Sequence, residues 1–329
     1  MKKLLLLTVA LMLGLSAPAA FAQTLKLGHI RPQGSSVDIG LTDFANELDK
    51  ATGGKTKIQL YPASALGDYT VVQERVSIGA VDMSCQPAAP GAEKKFLLSF
   101  LPFLAKDWTE AEQAWGPGGP VRKAIEQLLD KQDIKVLAAW PVYFSGISLY
   151  KEPNEPLNPH VSKKLKVRVP PVKALTLIAT NIGYQGAVVP FSETFTAVQT
   201  GVVDGIVGAG AEGYYSSFRD VTKYYIPANL HFEIWYLMIN KERFESLPAE
   251  TREAMLDIAA KMETQRWKDA PQETLDYEQK LIDLGAKRYD VNDEVLTELA
   301  KISREKVWPE VMGEIGKEWV EGILKEMGK

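Results

Sequence analysis

Pro190-Phe191-Ser192-Glu193-Thr194-Phe195-Thr196-Ala197-Val198-Gln199-Thr200-Gly201-Val202-Val203-Asp204-Gly205-Ile206-Val207 is the stretch on which the fold turns. The Ser192 hydroxyl can accept from the first free N–H groups of a helix, and Gly201 can end that helix, so a helix from Ser192 to Gly201 is predicted. Val202 to Val207 then reads as a strand. The same alternation continues on both sides. Upstream, Lys166-Val167-Arg168-Val169 is a strand closed by Pro170-Pro171, and Ile134 to Trp140 is another. Nearer the N-terminus, strands at Leu25–Gly28 and Lys57–Tyr61 flank a helix marked by Leu41, Phe44, Ala45 and Leu48 and ended by Gly53-Gly54. Val71 to Ile78 reads as a short helix, and Asp107 to Lys131 as a helical segment broken at Gly116–Pro120. Glu152 to His160, rich in Pro and Asn, is a surface connection. From Pro248 the pattern changes to long helices, with a kink expected at Pro271, and an amphipathic stretch from Val307 to Met327 closes the chain. This βαβα rhythm predicts an α/β architecture with a largely parallel sheet.

The N-terminus carries Lys2 and Lys3, an apolar run from Leu4 to Leu15, and Ala20-Phe21-Ala22. That order is a secretory signal peptide, residues 1–22, with cleavage expected after Ala22. A membrane anchor needs about 20 apolar residues, more than this run supplies. The 329-residue chain has a formal net charge of −4, which becomes −6 without the two leader lysines. An acidic exported chain offers no electrostatic reason to expect nucleic acid. Cys85 is the only cysteine, so no internal disulfide is available; it reads as a small buried hydrophobe rather than a nucleophile.

Catalysis and cofactor binding leave few traces. His29, His160 and His231 are scattered, and H-E-x-x-H, C-x-x-C, G-x-S-x-G and G-x-x-x-x-G-K-[ST] are all missing from the sequence. A binding module without cofactor or metal is therefore preferred to an enzyme. A secreted enzyme acting on an organic acid is the rival from another class, and a periplasmic sensor partner is the rival among binding proteins.

Four further patterns lie in order along the chain: Tyr61-Pro62-Ala63-Ser64-Ala65-Leu66-Gly67-Asp68, Gly79-Ala80-Val81-Asp82, Leu101-Pro102-Phe103-Leu104, and Lys166-Val167-Arg168-Val169-Pro170. Together with Pro190–Gly205 they resemble the substrate-binding proteins of TRAP (tripartite ATP-independent periplasmic) transporters, and the resemblance spans nearly all of the chain behind the leader. It implies a two-lobed periplasmic binding protein fold of type II-like form, with an interlobe cleft, hinge strands and a long helix spanning both lobes. Lobe I is expected at 23–145 plus about 235–272, and lobe II at 146–234 plus about 273–329. The resemblance also implies a monomer that captures a small-molecule carboxylate and delivers it to the small and large TRAP membrane subunits.

Under the resemblance Arg168 receives the carboxylate. The chemistry is apt, because a guanidinium is a planar, permanently charged fork that matches a carboxylate bidentately. A second arginine used by some family members for sugar acids falls near Ser148 here, and a polar Asn is replaced by Gly208. A glycine-rich loop leads into Tyr214 and Tyr215, with Trp140, Tyr143 and Phe144 near one wall and Phe232, Trp235 and Tyr236 on the presumed return strand. Glycines make room and rings supply flat apolar walls, so a monocarboxylate with an aromatic or apolar body is favoured. Glu212 has two readings, an acceptor for a ligand amino group or a structural cap on Tyr214 and Arg219; the second is preferred. His29 and Gln86 follow the first strands, where strand ends of open α/β sheets face the cleft.

Overall fold

The computed structural model describes residues 23–329, so the segment read as a signal peptide lies outside the described residues. In chain order the strands are β1 (Gln23–Gly28), β2 (Thr56–Tyr61), β3 (Met83–Gln86), β4 (Ile134–Phe144), β5 (Gly146–Leu149) and β6 (Lys166–Val169). They continue as β7 (Gln185–Val188), β8 (Gly205–Ala209), β9 (Tyr224–Ile226), β10 (Phe232–Asn240) and β11 (Lys287–Arg288). These strands make two sheets, ordered β2-β1-β3-β10-β4 and β11-β9-β5-β8-β6-β7.

The expectation of largely parallel sheets needs correction. β1 is parallel to β2 and β3, and β6 to β7 and β8, but β10 is antiparallel to both β3 and β4, and β5 to both β8 and β9. The antiparallel strands are those where the chain passes from one sheet to the other. β4 continues into β5 through Ser145 alone, and β9 returns to β10 through a five-residue link, 227–231, so neither passage includes the crossover helix that parallel pairing requires. At this crossing the Ser145 N–H donates to the His231 carbonyl (2.8 Å) and the Leu230 N–H to the Ser145 carbonyl (2.9 Å), tying the two passages together.

The early helices are α1 (Ser36–Ala51), α2 (Tyr69–Ser77), α3 (Trp108–Trp115), α4 (Pro120–Asp130), α5 (Lys173–Asn181) and α6 (Thr194–Gln199). Helix α1 buries Val37, Leu41, Phe44 and Leu48 at helical spacing, each contributing on the order of 1.5–3 kcal/mol. Pro120 opens α4, where its missing N–H costs no hydrogen bond. Ser192 does not cap a helix as expected: Phe191–Glu193 forms a short 3₁₀ turn, α6 starts at Thr194, and the Thr194 hydroxyl donates back to the Pro190 carbonyl. The strand after it begins at Gly205, later than Val202.

Then come α7 (Ala211–Phe218), α8 (Lys241–Glu245), α9 (Ala249–Asp283), α10 (Asp293–Ile302), α11 (Trp308–Ile315) and α12 (Lys317–Glu326). Helix α9 runs unbroken through Pro271 and packs on β4 and α1 of one sheet's group and on α7 of the other's. Two buried charged residues fasten it to β4. Glu263 accepts from the Ala139 N–H (2.8 Å) and from Arg122 Nη1 (2.7 Å), and Arg266 Nε donates to the Pro141 carbonyl (2.8 Å). A π turn over Ser303–Val307 follows α10, and the closing stretch from Val307 to Met327 divides into α11 and α12, with Gly316 at φ +101° breaking the two. These helices touch both α5 and the Lys94–Phe100 turn, and the Trp308 indole N–H donates to the Pro102 carbonyl, so they bridge the two sheets' surroundings. Among the described residues no helix is long and apolar enough to cross a membrane. Cys85 sits fully buried on β3, and burial pushes its thiol well above the ordinary range.

Candidate functional site

The C-terminal ends of β1, β3, β6 and β8 converge where the two sheets meet, and there they enclose a cavity of about 30 Å³. The first sheet's side supplies Ile30 and Arg31 after β1, Tyr69 at the start of α2, Pro87 after β3, Phe100, Tyr143 near the end of β4, and Glu233 and Trp235 of β10. The second supplies Arg168 of β6, Pro170, Phe191 and Gly208 of β8. Strand ends expose unpaired backbone and short loops, which is why open α/β sheets gather binding groups there.

Arg168 is 1 % exposed. Its Nε donates to the Val189 carbonyl (2.9 Å) and its guanidinium carbon lies 5.9 Å from the Phe191 ring centroid. Among the described residues no carboxylate forms an ion pair with it, and neither terminal nitrogen hydrogen-bonds to protein. Burial lowers its pKa, with the phenols of Tyr69 and Tyr214 opposing. A buried cation without a counter-ion is costly, so this guanidinium has a strong tendency to take an anion.

Arg31, which sequence reasoning passed over, is the second buried guanidinium. Nε donates to Glu212 Oε2 (2.8 Å) and Nη2 to the Tyr143 hydroxyl (3.2 Å), while the Phe191 and Trp235 rings lie 5.0 and 4.8 Å away. Burial opposes its charge, but Glu212 and Tyr143 outweigh that and raise its pKa. Glu212 therefore neither faces the cavity nor caps Tyr214 or Arg219; it neutralises Arg31.

Glu233 is the other charged residue of the cavity that sequence reasoning missed. It is buried, lines the cavity and accepts from the Trp235 indole N–H at Oε1 (2.7 Å). Oε2 lies 2.9 Å from His231 Nε2, and His231 Nδ1 lies 2.6 Å from Ser145 Oγ, which carries the chain of contacts to the crossing between the sheets. A glutamate inside the nine-residue buried run Phe232–Asn240 was the available signal, since a charge in such a strand needs a partner or a task.

The structure thus gathers Arg168, Gly208, Tyr143 and Trp235 from the sequence-predicted residues. Gly208 has φ +94°, and a Cβ there would meet Pro170 Cδ at 2.7 Å, so both conformation and space demand glycine. The other predicted residues lie outside the cavity wall. The Tyr214 hydroxyl donates to the Gly146 and Ile206 carbonyls (2.9 and 3.1 Å), and Tyr215 packs on Tyr277 under Lys280. Phe144 belongs to an aromatic core with Trp108 and Phe232. Ser148 Oγ pairs with Thr222 Oγ1 (2.8 Å), and Gln86 Nε2 donates to the Tyr69 carbonyl (2.6 Å). His29 Nε2 contacts Asp38 Oδ1 at 3.1 Å, and its pKa is lowered, burial outweighing that partner. For Tyr214, Ser148, Gln86 and His29 a side-chain polar atom is engaged by neighbouring protein, and for Tyr215 and Phe144 the ring is packed in it, which periodicity and motif spacing do not report.

Comparison with known proteins places this geometry in context. Residues 27–313 match the family model described as bacterial extracellular solute-binding protein, family 7 (DctP). The C4-dicarboxylate-binding periplasmic protein DctP of Rhodobacter capsulatus is 29 % identical over 248 residues, covering 74 % of this chain and 73 % of its own. The 2,3-diketo-L-gulonate-binding periplasmic protein YiaO of Escherichia coli K12 is 25 % identical over 295 residues, covering 89 % and 87 %. Among solved structures, DctP7 of Bordetella pertussis, an extracytoplasmic solute receptor binding pyroglutamic acid, superposes with a TM-score of 0.83 at 26 % identity, covering 94 % of this chain and all of that one.

Proposed function

The chain belongs to bacterial extracellular solute-binding protein family 7, and from that premise we propose that it captures a small organic acid in the periplasm and delivers it to TRAP membrane subunits. Residues 1–22 serve as its export signal in this reading, and the two sheets anchor the two lobes that close on the solute. One observation carries the proposal: Arg168, wholly buried, presents a guanidinium with no protein counter-ion among the described residues to a cavity where the two sheets meet. A carboxylate completes that site with two charge-assisted hydrogen bonds, each worth about 1.5–3 kcal/mol.

The walls suit a monocarboxylate with an apolar or aromatic body, because Phe100, Phe191, Trp235 and the Tyr69 and Tyr143 rings surround the guanidinium. These rings replace Tyr214, Tyr215 and Phe144 as the apolar surface. The cavity admits one or two waters and no organic acid, so entry and fit require the walls to part about the Ser145 and 227–231 passages. Closure then removes water from the contacts and strengthens them. The relatives named above bind acids of different size, which supports the acid class and leaves the identity of this chain's acid to its own walls.

The test is native mass spectrometry of the protein as purified, followed by incubation with the acids it retains. The account expects a one-to-one complex that releases the acid chemically unchanged. Turnover of the acid, or retention of cations and neutral solutes only, overturns it.

A further inference from the structure

Arg168 and Glu233 line one small cavity from opposite sheets, and they differ from the other buried pair there. Arg31 and Glu212 neutralise each other directly. Arg168 has no ion pair among the described residues, and Glu233 contacts only an indole N–H and a histidine ring nitrogen. The Trp235 Nε1–H can only donate, so Oε1 accepts there. The contact between Oε2 and His231 Nε2 holds one proton, carried by either group. Wherever that proton sits, it lies on the His231 side, and every remaining lone pair of Glu233 toward the cavity is an acceptor.

We propose that Glu233 selects the solute: an acid with a single carboxylate, taken by Arg168, and an N–H or O–H donor aimed at Glu233. The proposal rests on the carboxylate reading of Arg168 and deepens it. A body that is apolar throughout leaves the remaining lone pairs of a buried carboxyl group unsatisfied, and a second carboxylate meets those acceptors with no donor to offer. Hydroxy acids, amino acids and lactam acids meet the requirement; plain alkanoates and dicarboxylates do not. The site has one place for an anion and one for a donor, at a separation set by β6 facing β10 across the cavity.

Isothermal titration with matched acids tests this. The probes are pyroglutamate against its ring-oxygen counterpart 5-oxotetrahydrofuran-2-carboxylate, lactate against propionate, and succinate as the dicarboxylate. The parent is expected to prefer the donor-bearing member of at least one pair by about 100-fold, and to bind succinate more weakly than that member. Glu233→Gln keeps an acceptor for Trp235 but turns an amide N–H toward the cavity, and it should reduce the preference to below about tenfold. Arg168→Ala should abolish binding of both members of every pair. Equal binding of matched members by the parent, tighter binding of succinate, or an undiminished preference in Glu233→Gln overturns the selector role while leaving the carboxylate reading intact. Failure of the parent to bind any of these acids counts against both. The parent ratio needs no variant to fold.

Discussion

Glu263→Ala offers a calculable test of how the long helix holds the strand that enters the site. Glu263 lies 4 % exposed on α9 and takes two hydrogen bonds, from Arg122 Nη1 at 2.7 Å and from the Ala139 N–H at 2.8 Å. Alanine removes a charge-assisted bond worth about 1.5–3 kcal/mol and leaves a buried backbone N–H without an acceptor, costing about 1–3 kcal/mol more. Arg122 retains Glu126, whose side chain is 39 % exposed, so the full penalty of an isolated buried charge does not apply. The sum is roughly 2.5–6 kcal/mol. A chain of about 300 residues unfolds with an entropy near 0.6 kcal/mol/K, so Tm should fall by about 4–10 °C. Glu263→Gln keeps an acceptor for Ala139 and should lose roughly half as much. Thermal unfolding followed by far-UV circular dichroism reads both. A Glu263→Ala protein melting within about 1 °C of the parent would refute the view that these two bonds fasten α9 to β4.

Two further outcomes follow from buried pairs. Glu212→Ala leaves Arg31 charged without its partner beside the cavity, and titration should show acid affinity falling at least about tenfold; affinity within twofold of the parent contradicts the view that neutralising Arg31 matters to the site. Burial lowers the pKa of His29, so the unfolded chain takes up this proton at higher pH than the folded one. Stability should therefore drop as pH falls below about 6.5, and His29→Gln should narrow the Tm difference between pH 7 and pH 5. An unchanged or wider difference in the variant sinks that assignment.

The layered architecture was legible because apolar spacing and Gly/Pro punctuation mark helices and strands locally, as α1, α4 and β6 show. Strand direction was not, since no local signal distinguishes β10 returning antiparallel from a strand arriving after a helix. Within the site, Arg168 was singled out through its motif, and Gly208 through a departure from the family pattern that follows Asp204-Gly205. Arg31 was missed although the strand-end rule that singled out His29 applies equally two residues later. Side-chain direction decides between them: His29 turns to Asp38, while Arg31 reaches the cavity. Glu233 carried a readable signal, a charge inside an otherwise apolar strand. The tyrosines failed for a related reason. A ring near a motif says nothing of where its hydroxyl finds an acceptor, and Tyr214 finds two backbone carbonyls.

Titration of the retained acid against Arg168→Ala and Arg168→Lys bears most directly on the whole account. Folding should survive, because the only hydrogen bond given up among the described residues runs from Nε to Val189. Alanine loses two charge-assisted bonds, so affinity should fall about 10²- to 10⁴-fold, and lysine, a point charge without the fork, should recover only part of it. Parental affinity in a folded Arg168→Ala protein would contradict the account.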